Sequence, residues 1–118
     1  MVMFYNNLPI NESQTISLVA LPNYVNTIVC ASVNSRPDIT LTLYDTQSLL
    51  PLSTSLNSNN TKSCLQSNVC TNLLYVYFQF QNNQFNSLNS ISCSANSTNL
   101  NVPLLSVITR NVTISSKY

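Results

Sequence analysis

Three segments of the chain alternate apolar and polar residues with a period of two. In "DITLTLYD", Ile39, Leu41 and Leu43 alternate with Thr40, Thr42 and Tyr44. In "NLLYVYFQFQ", Leu74, Val76, Phe78 and Phe80 alternate with Tyr75, Tyr77 and Gln79, and in "SISCSA", Ile91, Cys93 and Ala95 alternate with serines. A period of two turns one apolar face toward a core, so each segment predicts a strand. Weaker strand candidates are "VMFY" (2–5), "TISLVA" (15–20), "NTIVCASV" (26–33) and "LLSVITRNVTI" (104–114). No stretch of a dozen residues keeps a 3.6-residue apolar stripe, and β-branched and aromatic residues fill the periodic segments. The pattern predicts a single all-β domain of about seven short strands, the layout of a β-sandwich.

The connections must be made without glycine, which is absent. Asn is the residue after glycine that best tolerates a positive φ, so the pairs Asn6-Asn7, Asn59-Asn60 and Asn82-Asn83 are the expected tight corners. Pro22, Pro37, Pro51 and Pro103 fall between the periodic runs, where a strand fold admits proline.

Four cysteines allow three pairings. Cys30 and Cys93 both sit in mid-strand on inward parity, whereas Cys64 and Cys70 flank the short polar stretch "SCLQSNVC". The economical assignment is Cys30 to Cys93 across the core and Cys64 to Cys70 around the loop. A zinc site needs paired ligands at closer spacing or histidines, and the chain has no histidine. Redox catalysis needs a thiolate activated at a helix start or beside a basic group, and the sequence offers neither. Two structural disulfides place the chain outside a reducing cytosol, in an oxidising, extracellular environment, or in a hyperthermophile, where intracellular bridges are an exception.

Charge changes the picture further. Only 6% of the residues are charged, against roughly 25% in ordinary soluble domains. Arg36, Lys62, Arg110 and Lys117 face Glu12, Asp38 and Asp45, for a net charge of +1. No basic stripe exists for nucleic acid. Asn, Ser, Thr and Gln make up nearly half of the chain instead. AT-rich codon usage would enrich Lys along with Asn, and there are two lysines, so the depletion of charge looks selected. Neutral polar groups do not titrate, which decouples stability from acid and suits an acidic or heavily glycosylated exterior.

The same inventory argues against catalysis. With no histidine and three carboxylates, general acids and bases are nearly exhausted, and Asp38 and Asp45 bracket one strand on opposite parity. No cofactor is implied, since there is no glycine-rich loop for phosphate. No apolar run is long enough for a membrane span, and "MVMFYNN" lacks the basic start and apolar core of a signal peptide, so export implies a leader outside this numbering or another route of release. Asn-x-Ser/Thr acceptor triplets for N-linked glycans stand at Asn11 ("NES"), Asn59 ("NNT"), Asn96 ("NST") and Asn111 ("NVT"). So many Asn, Ser and Thr supply about this number by chance, and the triplets gain weight from the compartment that the cysteines imply. Asn59 and Asn96 are the stronger acceptors, because they are expected in loops, while Asn111 lies within a candidate strand.

The stretch "CASVNSRPDITLTLY" from Cys30 to Tyr44, followed by "NSISCSA" around Cys93, resembles strands B, C and F of an immunoglobulin-like domain of the C2 type. Leu43 then stands where that family has a tryptophan packed on the disulfide, and Ile91 where it has the F-strand tyrosine. The composition is similar to that of secreted surface proteins of thermoacidophilic archaea, including glycosylated thread-like filament subunits whose immunoglobulin-like, pilin-like domains are joined by donor strands. The resemblance implies a division into residues 1–10, a candidate donor strand, and residues 11–118, an immunoglobulin-like sandwich. It also implies a non-enzymatic structural subunit of an extracellular filament or virion surface, self-associating by strand complementation. The alternative is an immunoglobulin-like adhesion or recognition domain, in which residues 2–5 pair within their own sheet.

Overall fold

The computed structural model describes residues 1–52, 57–66, 69–79, 88–97 and 104–115. Among these described residues, nine strands follow in chain order: β1 (Val2–Tyr5), β2 (Leu8–Ile10), β3 (Thr15–Val19), β4 (Val25–Ser35), β5 (Ile39–Asp45), β6 (Asn57–Gln66), β7 (Val69–Gln79), β8 (Ser90–Ser97) and β9 (Leu104–Ser115). All seven periodic segments are strands, and β2 and β6 are additional. They form a five-stranded sheet in the order β2-β1-β4-β7-β6 and a four-stranded sheet in the order β3-β9-β8-β5. β3 and β9 run parallel, and the other pairs are antiparallel.

The inward parity of each periodic segment builds one core. Met3, Ile28, Cys30, Leu74, Val76 and Phe78 from the larger sheet meet Ile16, Leu18, Ile39, Leu41, Leu43, Ile91, Cys93 and Ala95 from the smaller one. Phe80, expected to continue the inward row of β7, lies outside the described residues. Two layers sharing one core give an all-β architecture compatible with a sandwich.

β6 has no periodic signature because it is an edge strand with both faces in water: residues 57–65 are exposed throughout. Asn59-Asn60 is therefore no corner but the middle of β6, where Asn59 pairs with Tyr75 and Asn60 with Leu74. Asn6-Asn7 does make a corner. Both residues take positive φ, 48° and 71°, the signature of the type I′ turn that matches the twist of a two-residue hairpin. Asn23 and Asn34 adopt positive φ elsewhere, the latter at the register shift of β4 against β7. Leu49 is the one other described residue with positive φ. Asn82-Asn83 and Pro103 lie outside the described residues.

Residues 1–10, the candidate donor strand, form the β1–β2 hairpin, and β1 pairs with β4 of the same chain from Val2↔Ala31 to Tyr5↔Ile28. The physical reason is Met3, fully buried in the core. The Asn6 backbone N–H donates to the Thr27 carbonyl at 2.9 Å, and the Thr27 N–H donates to Asn6 Oδ1 at 3.0 Å, which carries the ladder into the turn.

Candidate functional surfaces

Among the described residues, three links tie the two sheets. Cys30 on β4 and Cys93 on β8 form a disulfide across the core, with Cα atoms 6.5 Å apart. Leu43 is fully buried and pairs directly with Cys93, so it shares the core with the disulfide. Arg110 on β9 donates through Nε to the Ile10 carbonyl at 2.9 Å, joining the β1–β2 hairpin to the smaller sheet. Cys64 and Cys70, by contrast, are paired neighbours in the β6–β7 hairpin with Cα atoms 4.0 Å apart, so their bond closes a hairpin within one sheet.

The third tie is Asn26 on β4, whose side chain behaves as a strand. Its Oδ1 accepts the Val19 N–H and its Nδ2 donates to the Val19 carbonyl, both at 2.9 Å, and the Tyr5 hydroxyl donates to Oδ1 at 2.6 Å. Asn26 is fully buried, and these bonds satisfy it. Desolvation, helped by neighbouring Tyr24, pushes the Tyr5 phenol up from 10.0 to about 12. Only parity marks Asn26 in the sequence: it is a polar residue in the inward set with Ile28 and Cys30.

Among the described residues, the charged groups that could serve acid–base chemistry stand in separate local settings. Asp38 accepts a hydrogen bond from Ser97 Oγ and pairs with Arg36 at 3.5 Å. The Ser97 hydroxyl is the main cause holding its carboxyl below the usual range, with Arg36 and Lys62 contributing. Asp45 accepts the Gln47 N–H and the Ser48 hydroxyl and organises a turn. Lys62 donates to the Pro37 carbonyl. No group of three or more His, Cys, Asp or Glu residues suits a metal among the described residues. No helix among them is long and apolar enough to cross a membrane.

The acceptor triplets are distributed over different surroundings. Asn11 is exposed in the turn after β2, where its Oδ1 accepts from the N–H and hydroxyl of Ser13 in its own triplet. Asn59 and Asn96 are in strands β6 and β8 rather than loops: pairing with β7 runs past Asn59, and pairing with β5 runs past Asn96, where the β8–β9 register shifts. Asn96 is half-buried and donates to Ser94 Oγ at 3.0 Å, while Thr98 of its triplet lies outside the described residues. Asn111 is exposed on β9, between Ser90 and Thr15. Asn59 and Thr61 are both exposed on the outward face of β6, opposite Tyr75 and Leu73.

The outward faces of the sheets differ in chemistry. On the four-stranded sheet, Ser92 is buried and its hydroxyl shares hydrogen bonds with Thr46 at 2.7 Å and Thr109 at 2.8 Å, while Ser90 donates to Thr46 at 3.1 Å. Ser17 and Thr113 pair their hydroxyls at 3.3 Å on the same face. On the five-stranded sheet the outward row at mid-height is Pro9, Phe4, Val29, Tyr75 and Asn59, one residue from each strand in direct register. Phe4, Asn7, Val29, Leu73 and Tyr75 line a shallow cleft of about 230 Å³ on this face.

No known family model, curated protein or solved structure matches the chain.

Proposed function

We propose that this protein is a non-enzymatic extracellular structural protein of immunoglobulin-like, pilin-like architecture, a subunit of a surface filament or virion surface that assembles by β-strand complementation. The strand order supports the architecture. β1, β4, β7 and β6 correspond to strands A, B, E and D of an immunoglobulin-like sandwich, β5, β8 and β9 to C, F and G, and the Cys30–Cys93 bond to the B–F disulfide. Two disulfides and the scarcity of charge support an oxidising exterior. The similarity of composition to glycosylated filament subunits of thermoacidophilic archaea points the same way.

The observation that carries the assembly is the seating of β1. A four-residue extended segment fills the edge of β4 with a fully buried Met3, and the exposed turn at residues 11–14 joins its hairpin to the rest. The same segment donated by a neighbouring copy satisfies the same backbone groups and the same core site, which is the condition for exchanging a strand between subunits.

Sedimentation of the full chain, of the chain lacking residues 1–10, and of the latter with a synthetic peptide of residues 1–10 tests this. The expected result is concentration-dependent association of the full chain, lost on deletion, with the peptide bound tightly in trans. A truncated chain that folds, ignores the peptide and associates as before rules the proposal out. The pairing of β1 with β4 in its own chain favours the second reading, an adhesion or recognition domain, which predicts a monomer or dimer at every concentration.

A further inference from the structure

The outward face of the five-stranded sheet poses a physical problem. Strands in a two-layer fold ordinarily turn polar residues outward, but here β4 presents Val25, Thr27, Val29, Ala31 and Val33 on that side. Val25 and Val33 are 44% and 64% exposed, and Val2 on the neighbouring β1 is 42% exposed. β1 adds Phe4, and β7 adds Leu73, Tyr75 and Tyr77. With no charged residue in these rows, nothing on the face itself keeps another apolar surface away.

The margin of the face carries the answer. β6 holds the triplet Asn59-Asn60-Thr61, with Asn59 and Thr61 on the outward side and exposed. Asn59 stands directly opposite Tyr75, so their Cβ atoms are about 5 Å apart, and the diagonal neighbours Leu73 and Tyr77 are about 7 Å away. From Asn59 the row runs through Tyr75, Val29 and Phe4 to Pro9, four strand spacings or about 19 Å. A chain attached at Asn59 therefore starts beside an aromatic ring and has an uninterrupted apolar track ahead of it.

We propose that Asn59 carries an N-linked glycan whose proximal sugars lie across this face, with the first rings packed on Tyr75 and the following ones over Leu73 and Phe4, whose side chains cover the buried Val29. A pyranose has an apolar face of axial C–H groups and a polar rim of hydroxyls. It covers an apolar sheet while leaving its rim in water, which suits a shallow cleft lined by Phe4, Val29, Leu73 and Tyr75 with Asn7 as a polar edge. The other acceptors have no such track. Asn111 faces serine and threonine, Asn96 is half-buried against Ser94, and Asn11 sits in a turn. Attachment joins Nδ2 of Asn59 to the anomeric carbon of an oligosaccharide held on a polyprenyl diphosphate. The sugar–phosphate bond breaks, the lipid diphosphate leaves, and one amide proton passes to a base of the transferase.

This inference rests on the extracellular reading but not on assembly, so the two fail separately. The test secretes the full chain from a host with an N-glycosylation pathway, maps Asn59 occupancy by peptide mass spectrometry, and measures unfolding in urea. Four forms are compared: the parent, Asn59→Gln, Tyr75→Ala, and the double variant. The expected result is an occupied Asn59 whose glycan raises the folding equilibrium constant at least fivefold with Tyr75 present and less than twofold in Tyr75→Ala. Should Tyr75→Ala not fold, proton NMR of the parent replaces it. Ring-current shifts on the proximal sugar, absent in Tyr75→Leu, then carry the test. Three results overturn the inference: an unoccupied Asn59 in secreted protein, a glycan that stabilises both backgrounds equally or leaves the sugar signals unshifted, or a second copy of the chain covering the face in the glycosylated form.

Discussion

The two sheets share a core yet solve opposite surface problems. The central strand β8 of the four-stranded sheet turns Ser92 and Ser94 outward, and both are nevertheless buried, Ser92 at 1% exposure. Tyr44 and Thr109 flank Ser92 on the neighbouring strands; Ser92 shares hydrogen bonds with Thr46 and Thr109, and Ser94 Oγ accepts one from Asn96 Nδ2. The central strand β4 of the five-stranded sheet turns Val29 and Ala31 outward, also at low exposure, and its cover is Phe4, Leu73 and Tyr75. One face is closed by directional bonds between neutral hydroxyls, the other by contact area. The difference teaches that a nearly uncharged surface is not a uniform one: neutral hydroxyls close one face by hydrogen bonds, and on the other apolar neighbours cover Val29 and Ala31 while Val2, Val25 and Val33 stay exposed.

The largest test of this two-sheet account is to cut the bond between the sheets. Replacing Cys30 and Cys93 together by Ala is expected to cost about 4 kcal/mol in urea unfolding, whereas replacing Cys64 and Cys70 costs about 2.5 kcal/mol. Equal losses would mean that the sheets do not depend on their covalent tie. Next comes Asn26→Leu. It leaves the Val19 N–H and carbonyl buried without partners and is expected to cost about 3 kcal/mol, while amide exchange at Val19 accelerates. An unchanged stability would show that β3 is held by β9 alone.

Ser92→Ala addresses the hydroxyl face directly and is expected to cost about 1 kcal/mol, because Thr46 and Thr109 lose a shared partner. Val33→Thr on the opposite face, at an exposed site, is expected to stay within about 0.5 kcal/mol. Reversal of that order removes the contrast between the faces. A last effect is one of pH. Tyr5 is neutral when protonated, and its folded-state value is raised from 10.0 to about 12, so its contribution is complete below pH 10 and is lost as pH rises through 12. With the phenol only partly buried, solvent screening limits that loss to below about 1 kcal/mol. Tyr5→Phe should abolish this step in a pH series of unfolding midpoints.

Legibility in the sequence followed the burial of each strand. β5, β7 and β8 read clearly because one parity enters the core, and the same parity placed Cys30 and Cys93 inside, where the structure joins them. β6 was illegible because an exposed edge strand has no inside, so "NSNNTKSCLQ" carries no alternation and Asn59-Asn60 read as a corner. Asn26 was legible only as an anomaly, since its partner is the backbone of Val19, which any sequence supplies. The pairing of residues 2–5 with β4 in the same chain was equally beyond periodicity, because an extended apolar segment fits its own sheet edge and a neighbour's alike.

By itself, then, the sequence determined the strand class, the inward parity, the Asn6-Asn7 corner and the neutrality of the surface. These are local properties, set by side-chain period, φ preference and ionisable-group count. Tertiary structure alone decided which outward faces lie side by side: the row from Pro9 to Asn59 draws one residue from each of five strands, bringing the β1–β2 hairpin, β4 and the β6–β7 hairpin together. Register is a property of pairs of strands, and no single segment contains it.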